Sequence, residues 1–156
     1  MRELDEYIEQ HQESFYRLAY TVVHDRDAAL DVVHNAVVQA LTHADTLREP
    51  AYLKTWFYRI LVNEGRGYLR KNRRILPAEV LPEDIAADDP DVARRLDVYR
   101  AVSRLNPKLR TVVVLRFYED MPLADIARVT GANLSTVKSR LYKALALLRP
   151  ELDGNG

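Results

Sequence analysis

The chain has 156 residues, 47% of them hydrophobic and none of them cysteine, and its 23 basic and 23 acidic side chains leave no formal net charge. That length accommodates one domain or two small ones with real cores, and the missing cysteine excludes disulfides and thiolate metal sites. The polar start MRELDEYIEQ does not read as a secretory leader and no apolar run reaches membrane length, so a cytoplasmic protein with no direct membrane insertion is expected.

Strand-type alternation is nearly absent, and the expected fold class is all-α. Leu4, Ile8, Phe15, Leu18, Ala19, Val22 and Val23 predict a helix over 4–23, with a split near His11–Glu13. Asp25 or Asp27 can cap a second helix, 27–43, with Ala29, Val33, Ala36, Val37 and Ala40 inward. Up to residue 50 the chain carries ten acidic and four basic side chains. Pro50 fits the first turn of a third helix, 50–71, whose apolar face is Leu53, Trp56, Phe57, Ile60 and Leu61; Gly65 and Gly67 weaken its end. Residues 51–74 reverse the charge, with seven basic side chains and one acidic.

Residues 75–91, with three prolines, six acids and no basic residue, read as a linker that is either solvated or laid on a basic surface. Beyond it Leu96, Tyr99, Val102 and Leu105 form one helical face. Asn106-Pro107 starts another helix, in which the β-branched run 111–114 is read as buried helix rather than strand. Pro122 opens a short helix, Thr130–Ala132 turns the chain, and a last helix over 134–149 turns Val137, Leu141, Ala144, Leu145 and Leu148 inward until Pro150 stops it. The organisation expected is two small helical domains, 1–74 and 92–150, joined by the acidic linker 75–91 and followed by a tail, 151–156.

Charge is sorted along the chain, so local fields survive the neutral total. A short helix, a glycine-containing turn and a second helix bearing Ser135, Thr136, Lys138, Ser139, Arg140 and Lys143 form a helix-turn-helix suited to a major groove. The plainer reading is a solvated face on a bundle. Upstream, Arg66, Arg70, Lys71, Arg73 and Arg74 are interleaved with Tyr52, Tyr58 and Tyr68, a mixture that can hold unstacked bases, and Asn63 can read a base edge. Core packing of Trp56 and Tyr58 and pairing of the arginines with the helix dipole account for the same residues.

Catalysis finds no support. His11, His24, His34 and His43 lack metalloprotease spacing. Asp25, Asp27 and Asp31 lack the glycine and terminal glutamate of a calcium loop, and there is no glycine-rich phosphate loop. No catalytic residue, metal or cofactor is expected.

AYLKTWFYRILVNEGRGYLRKNRR and LNPKLRTVVVLRFYEDMPLADIARVTGANLSTVKSRLYKALALLR, in this order and separation, resemble the two conserved domains of the bacterial sigma-70 family, in its small extracytoplasmic-function group. The resemblance covers about Tyr7 to Arg149. It implies a non-enzymatic RNA polymerase sigma factor that binds core polymerase and directs promoter-specific initiation. The first domain would be a region 2-like unit that takes a flipped base of the −10 element, and the second a region 4-like unit that reads duplex −35 DNA. The linker would track through polymerase near the RNA exit path.

Carried over by position, Asn63 matches the −10 base pocket and residues 46–52 its wall. Arg59, Arg66, Arg70, Lys71, Arg73 and Arg74 match −10 DNA contacts. Ser135, Thr136, Lys138, Ser139, Tyr142 and Lys143 match −35 contacts, although periodicity does not decide Tyr142. Asp31, His34, Asn35 and Val38 match the helix that docks on the beta prime clamp helices. There DVVHNAVVQAL departs from the family pattern, with His34 and Asn35 in place of Gln and Glu, Val37 of Phe and Leu41 of Trp. An anti-sigma protein is the further implied partner, with the apolar surfaces between the two domains as its candidate contact. The alternative is a standalone helix-turn-helix regulator acting without polymerase.

Overall fold

The computed structural model describes residues 2–72 and 90–152, the side chains of 90–96 and 151–152 excepted. Arg73, Arg74, the linker over 75–89, the side chain of Leu96 and the tail from 153 therefore lie outside the described residues. Every element among the described residues is helical. Helices α1 (Arg2–Gln10) and α2 (Gln12–Val23) part at His11, where the split is expected. His24 closes α2 in the left-handed conformation, φ 57°, and its N–H donates to the Tyr20 carbonyl at 2.7 Å. Asp25 caps α3 (Arg26–Thr42): its carboxylate accepts from the Ala28 N–H at 2.9 Å.

A 3-10 turn, Pro50–Tyr52, leads into α4 (Leu53–Lys71), which packs on α2 and α3. Phe57 and Leu61 are buried, as the apolar periodicity predicts. Tyr58 is also buried, 1% exposed, which corrects its reading as a surface for unstacked bases. Its ring meets Phe15 edge-on at 6.0 Å. Gly65 does not end the helix. It lets α4 approach α2, because a Cβ there would lie 2.7 Å from Val22 Cγ1.

The second half begins with α5 (Pro90–Arg104), inside the range read as linker. The Asn106 side chain accepts from the Leu109 N–H at 3.0 Å and caps α6 (Pro107–Val113). Thr111, Val112, Val113 and Val114 are all buried, and burial overrides their strand propensity. One π-helical turn, Val114–Tyr118, follows α6. Next come α7 (Leu123–Thr130) and α8 (Leu134–Leu152). Pro150 does not stop α8, which runs on to Leu152. The proline removes one backbone donor from the last turn, where the helix has little left to lose.

The halves are packed together. α2 lies against α6 and α4 against α7, and buried residues of both halves belong to one continuous core. Apolar surfaces expected to be available to a partner thus face each other.

Candidate nucleic-acid interface

Three exposed surfaces carry the residues singled out in the sequence. The first is on α4. Arg59, Asn63, Arg66 and Arg70 recur at spacings of four, three and four, which places them on one stripe. Arg59, Asn63 and Arg70 are exposed and Arg66 is half-buried. Lys71 is exposed but lies about 100° around the helix from Arg70, off the stripe.

Beside the stripe is a cleft of about 470 Å³ between α4 and the end of α3, lined by Trp56, Arg59, Ile60, Asn63 and the carboxylate-bearing Glu64 on one side and by Gln39, His43 and Thr46 on the other. Its wall is pinned by two hydrogen bonds. The Trp56 indole N–H donates to Thr46 Oγ1 at 3.0 Å, and the Thr46 hydroxyl donates to the His43 carbonyl at 2.7 Å. Trp56 is therefore neither simple core nor free surface: it is a half-buried wall residue held by a polar tie. The cleft offers an open amide, a guanidinium and a flat aromatic flank, a set that can take a planar base by stacking and edge hydrogen bonds.

Arg66 faces the other half. It lines a second groove with Arg70 and Lys108, over an apolar floor that includes Val22, Leu69 and Pro107. Burial pushes its guanidinium pKa down, and the nearby Arg140 and Arg70 charges add to this. Arg140, half-buried, lies two residues and about 200° of helix from Lys138, which takes it off the face of α8 that carries the lysines and into the field of Arg66. Tyr52 is 53% exposed and lies under the Arg128 guanidinium of α7, 5.7 Å from the ring centre.

The second surface is α8. Gly131, φ 75°, closes α7 and makes the sharp turn that a side chain would strain. Asn133 then starts α8: its Oδ1 accepts from the Thr136 N–H at 2.8 Å and from the Ser135 hydroxyl at 3.0 Å. The sequence reading missed this cap, although an Asn two residues after a turn glycine is a recognisable helix-start signal. Val137, Leu141, Ala144 and Leu148 are buried. On the opposite side Ser135, Lys138, Ser139, Tyr142 and Lys143 are exposed and Thr136 is half-buried. Tyr142, 63% exposed, shares a stripe with Ser135 and Ser139.

The third surface is on α3. Asp31, His34, Asn35 and Val38 are all exposed on one side of the helix. Leu30, Val38 and Leu41, at 58%, 46% and 50% exposure, put three aliphatic side chains in water around His34.

Comparison with known proteins identifies the class. The sigma-70 region 2 model matches residues 7–75 and the sigma-70 region 4 model matches residues 95–148. The chain is 40% identical over 147 residues to RNA polymerase sigma factor SigV of Bacillus subtilis, covering 93% of this chain and 88% of that protein. It is 32% identical over 155 residues to the RNA polymerase sigma-E factor of Streptomyces coelicolor, covering 96% and 86%. Among solved structures, the fold is similar to sigma factor RpoE in complex with the anti-sigma factor NepR from Bartonella quintana, with a TM-score of 0.79, 22% identity and 98% of each chain covered. The chain belongs to the sigma-70 family. Within it, this is a sigma factor of the extracytoplasmic-function group, a regulatory protein of transcription initiation and not an enzyme.

Proposed function

We propose that this sigma factor binds core RNA polymerase through α3, reads duplex −35 DNA with α8, and traps an unstacked −10 base in the cleft between Trp56 and Asn63. The observation that carries the reading is the cleft. It has a pinned wall, the Arg59 guanidinium and an exposed amide at Asn63. Flipping a base costs a few kcal/mol, roughly, and stacking with edge hydrogen bonds offsets that cost. Arg59, Arg66, Arg70 and Lys71 then meet promoter backbone, with Arg73 and Arg74 continuing the basic run. Ser135, Thr136, Lys138, Ser139, Tyr142 and Lys143 meet the −35 duplex, where lysines contact phosphate or guanine and hydroxyls reach phosphate or base edges.

On α3, Asp31, His34, Asn35 and Val38 contact the beta prime clamp helices, and the exposed leucines supply the apolar part of that interface. The domain assignment accompanies this reading: 1–74 for core and −10 binding, 92–150 for −35 binding, with the linker between. The site of action is the cytoplasm. Among the described residues, no helix is long and apolar enough to cross a membrane. An anti-sigma protein is the further partner, a role supported by similarity to sigma factors solved with anti-sigma proteins.

Run-off transcription with purified bacterial core polymerase on a promoter library tests the proposal. Transcripts that depend on this protein and share −35 and −10 elements are expected. Core binding without such transcripts would point instead to a polymerase inhibitor, and promoter binding without any core affinity to a standalone regulator.

A further inference from the structure

The groove lined by Arg66 is distinct from the base cleft and has a volume of about 540 Å³. Its floor includes Val22 of α2, Leu69 of α4 and Pro107 of α6, and its rim carries Arg66, Arg70 and Lys108. Small-molecule sites have this size and this make-up, mostly apolar with a few placed polar groups. Thr111 and Thr130 also line it, but their hydroxyls donate to the Pro107 and Ile126 carbonyls at 2.7 and 2.8 Å. Asn106 spends its Oδ1 on the Leu109 N–H, so its side chain offers the groove a donor.

The charge of the groove is one-sided. Among the described residues, no acidic side chain lines it. The ion pairs among the described residues are Arg17–Glu119, Arg100–Asp97 and Arg128–Asp125, and they involve none of Arg66, Arg70, Lys108 and the nearby Arg140. The lowered pKa of Arg66, caused first by burial and then by Arg140 and Arg70, reports the same crowding. A half-buried cation beside two others is relieved by an anion placed among them.

Floor and rim together select the anion. Arginines take phosphate through paired N–H donors, and a lysine adds a point charge. Free phosphate or a sugar–phosphate backbone uses the rim and leaves the apolar floor in water. A phosphate that carries an alkyl chain uses both.

We propose that this groove binds one molecule of an anionic amphiphile, its phosphate head held by Arg66, Arg70 and Lys108 and its alkyl chain laid on Val22, Leu69 and Pro107. Arg66 and Arg70 are also offered to promoter backbone, so the ligand and −10 DNA compete for them. That consequence, unlike the site itself, rests on the −10 reading above.

Isothermal titration of the full chain with octyl phosphate below its micelle concentration tests the site, with inorganic phosphate and octyl glucoside as controls. One octyl phosphate per chain is expected, bound at least about tenfold more tightly than either control and with a negative heat-capacity change. Each methylene removed from the chain should weaken binding by up to about fourfold. Lys108 is exposed and lies outside the proposed DNA contacts. Lys108→Glu should weaken octyl phosphate about tenfold or more and leave the melting temperature unchanged.

Equal affinity for octyl phosphate and inorganic phosphate would overturn the proposal, as would undiminished binding by Lys108→Glu. Binding seen only after Glu83→Gln and Asp84→Asn would also overturn it, by giving the groove to the chain's own acidic segment. Octyl phosphate should further lower run-off transcription by the wild type, and less so with Lys108→Glu. Binding to the chain with no effect on transcription would uphold the site and overturn the assignment of Arg66 and Arg70 to −10 DNA.

Discussion

Single residues can separate the two proposed DNA contacts. Asn63 is exposed on the cleft and makes no contribution to the core. Asn63→Ala should lower run-off transcription by about tenfold or more, the discrimination of one good bidentate base contact, and leave −35 duplex affinity within about twofold. Equal losses in both assays would indicate damage to the fold instead of the pocket. On α8, Lys138→Ala should weaken binding to −35 duplex and reduce the slope of log affinity against log salt by about 1. Ser135→Ala should have the smaller effect, because the Ser135 hydroxyl is held by Asn133; a titration of both variants over a range of salt concentrations compares them.

His24 reports on the seam between the halves. It is stacked on Tyr20, with ring centres 5.6 Å apart, and its pKa is lowered to about 4 by burial and, secondarily, by the Arg110 charge. The unfolded chain binds the proton more readily, so His24 stabilises least at low pH. Its contribution is complete above about pH 6.5 and is lost as pH falls from there toward 4. After discounting for partial exposure, the loss is about 1 kcal/mol. His24→Asn suits the left-handed backbone and does not titrate in this range. Thermal melts at pH 7 and pH 5 should therefore differ less for this variant than for the wild type.

At the scale of elements, two glycines in one helix should behave oppositely. At Gly65 a methyl group would collide with Val22, whereas at Gly67 the nearest atom is Arg70 Nη2 at 3.7 Å. Gly65→Ala should destabilise the chain by about 1–3 kcal/mol through overpacking. Gly67→Ala should stabilise it by about 0.5–1 kcal/mol by raising helix propensity. Urea titrations of the two variants decide both signs. The sequence shows both glycines as the same helix-weakening residue, because the collision partner lies 43 positions away.

That contrast indicates which features can be read from the chain itself. Helices α2, α3, α4 and α8 follow from apolar spacing, and the Asp25 cap and the break at His11 from local chemistry. The α8 face follows from the same periodicity, whereas the α3 stripe was placed by the family resemblance alone. Glu119 did not. In the sequence it belongs to a turn, Glu-Asp-Met, and its partners Arg17 and Tyr58 are supplied by the other half. Tyr58 could be core or surface for the same reason. Pro150 was expected to end α8, but one missing donor in a final turn is a weak stop.

For the whole molecule, the question is whether it is one folding unit or two. Each half contains only about 60–70 residues, a size at which a domain buries about 60% of its unfolded surface and is marginal alone. Here Val22, Val23, Phe57 and Leu61 from the first half share a buried core with Val102, Val112 and Ile126 from the second. The buried Arg110 and Glu119 further couple the halves through their hydrogen bonds across the seam, to the Thr21 and Val22 carbonyls and from Tyr58 and Arg17, which separation would break. Neither half can then unfold without removing packing from the other. The free chain should melt in a single transition, with calorimetric and van't Hoff enthalpies in agreement. Tyr58→Phe should lower the midpoint by about 3–6 °C, the shift expected for one charged hydrogen bond in a protein of this size. Two resolved transitions in the wild type would mean that the seam contributes little and that the halves are stable separately. A single transition that splits in Tyr58→Phe would show directly that the buried hydroxyl–carboxylate contact makes two small units fold as one.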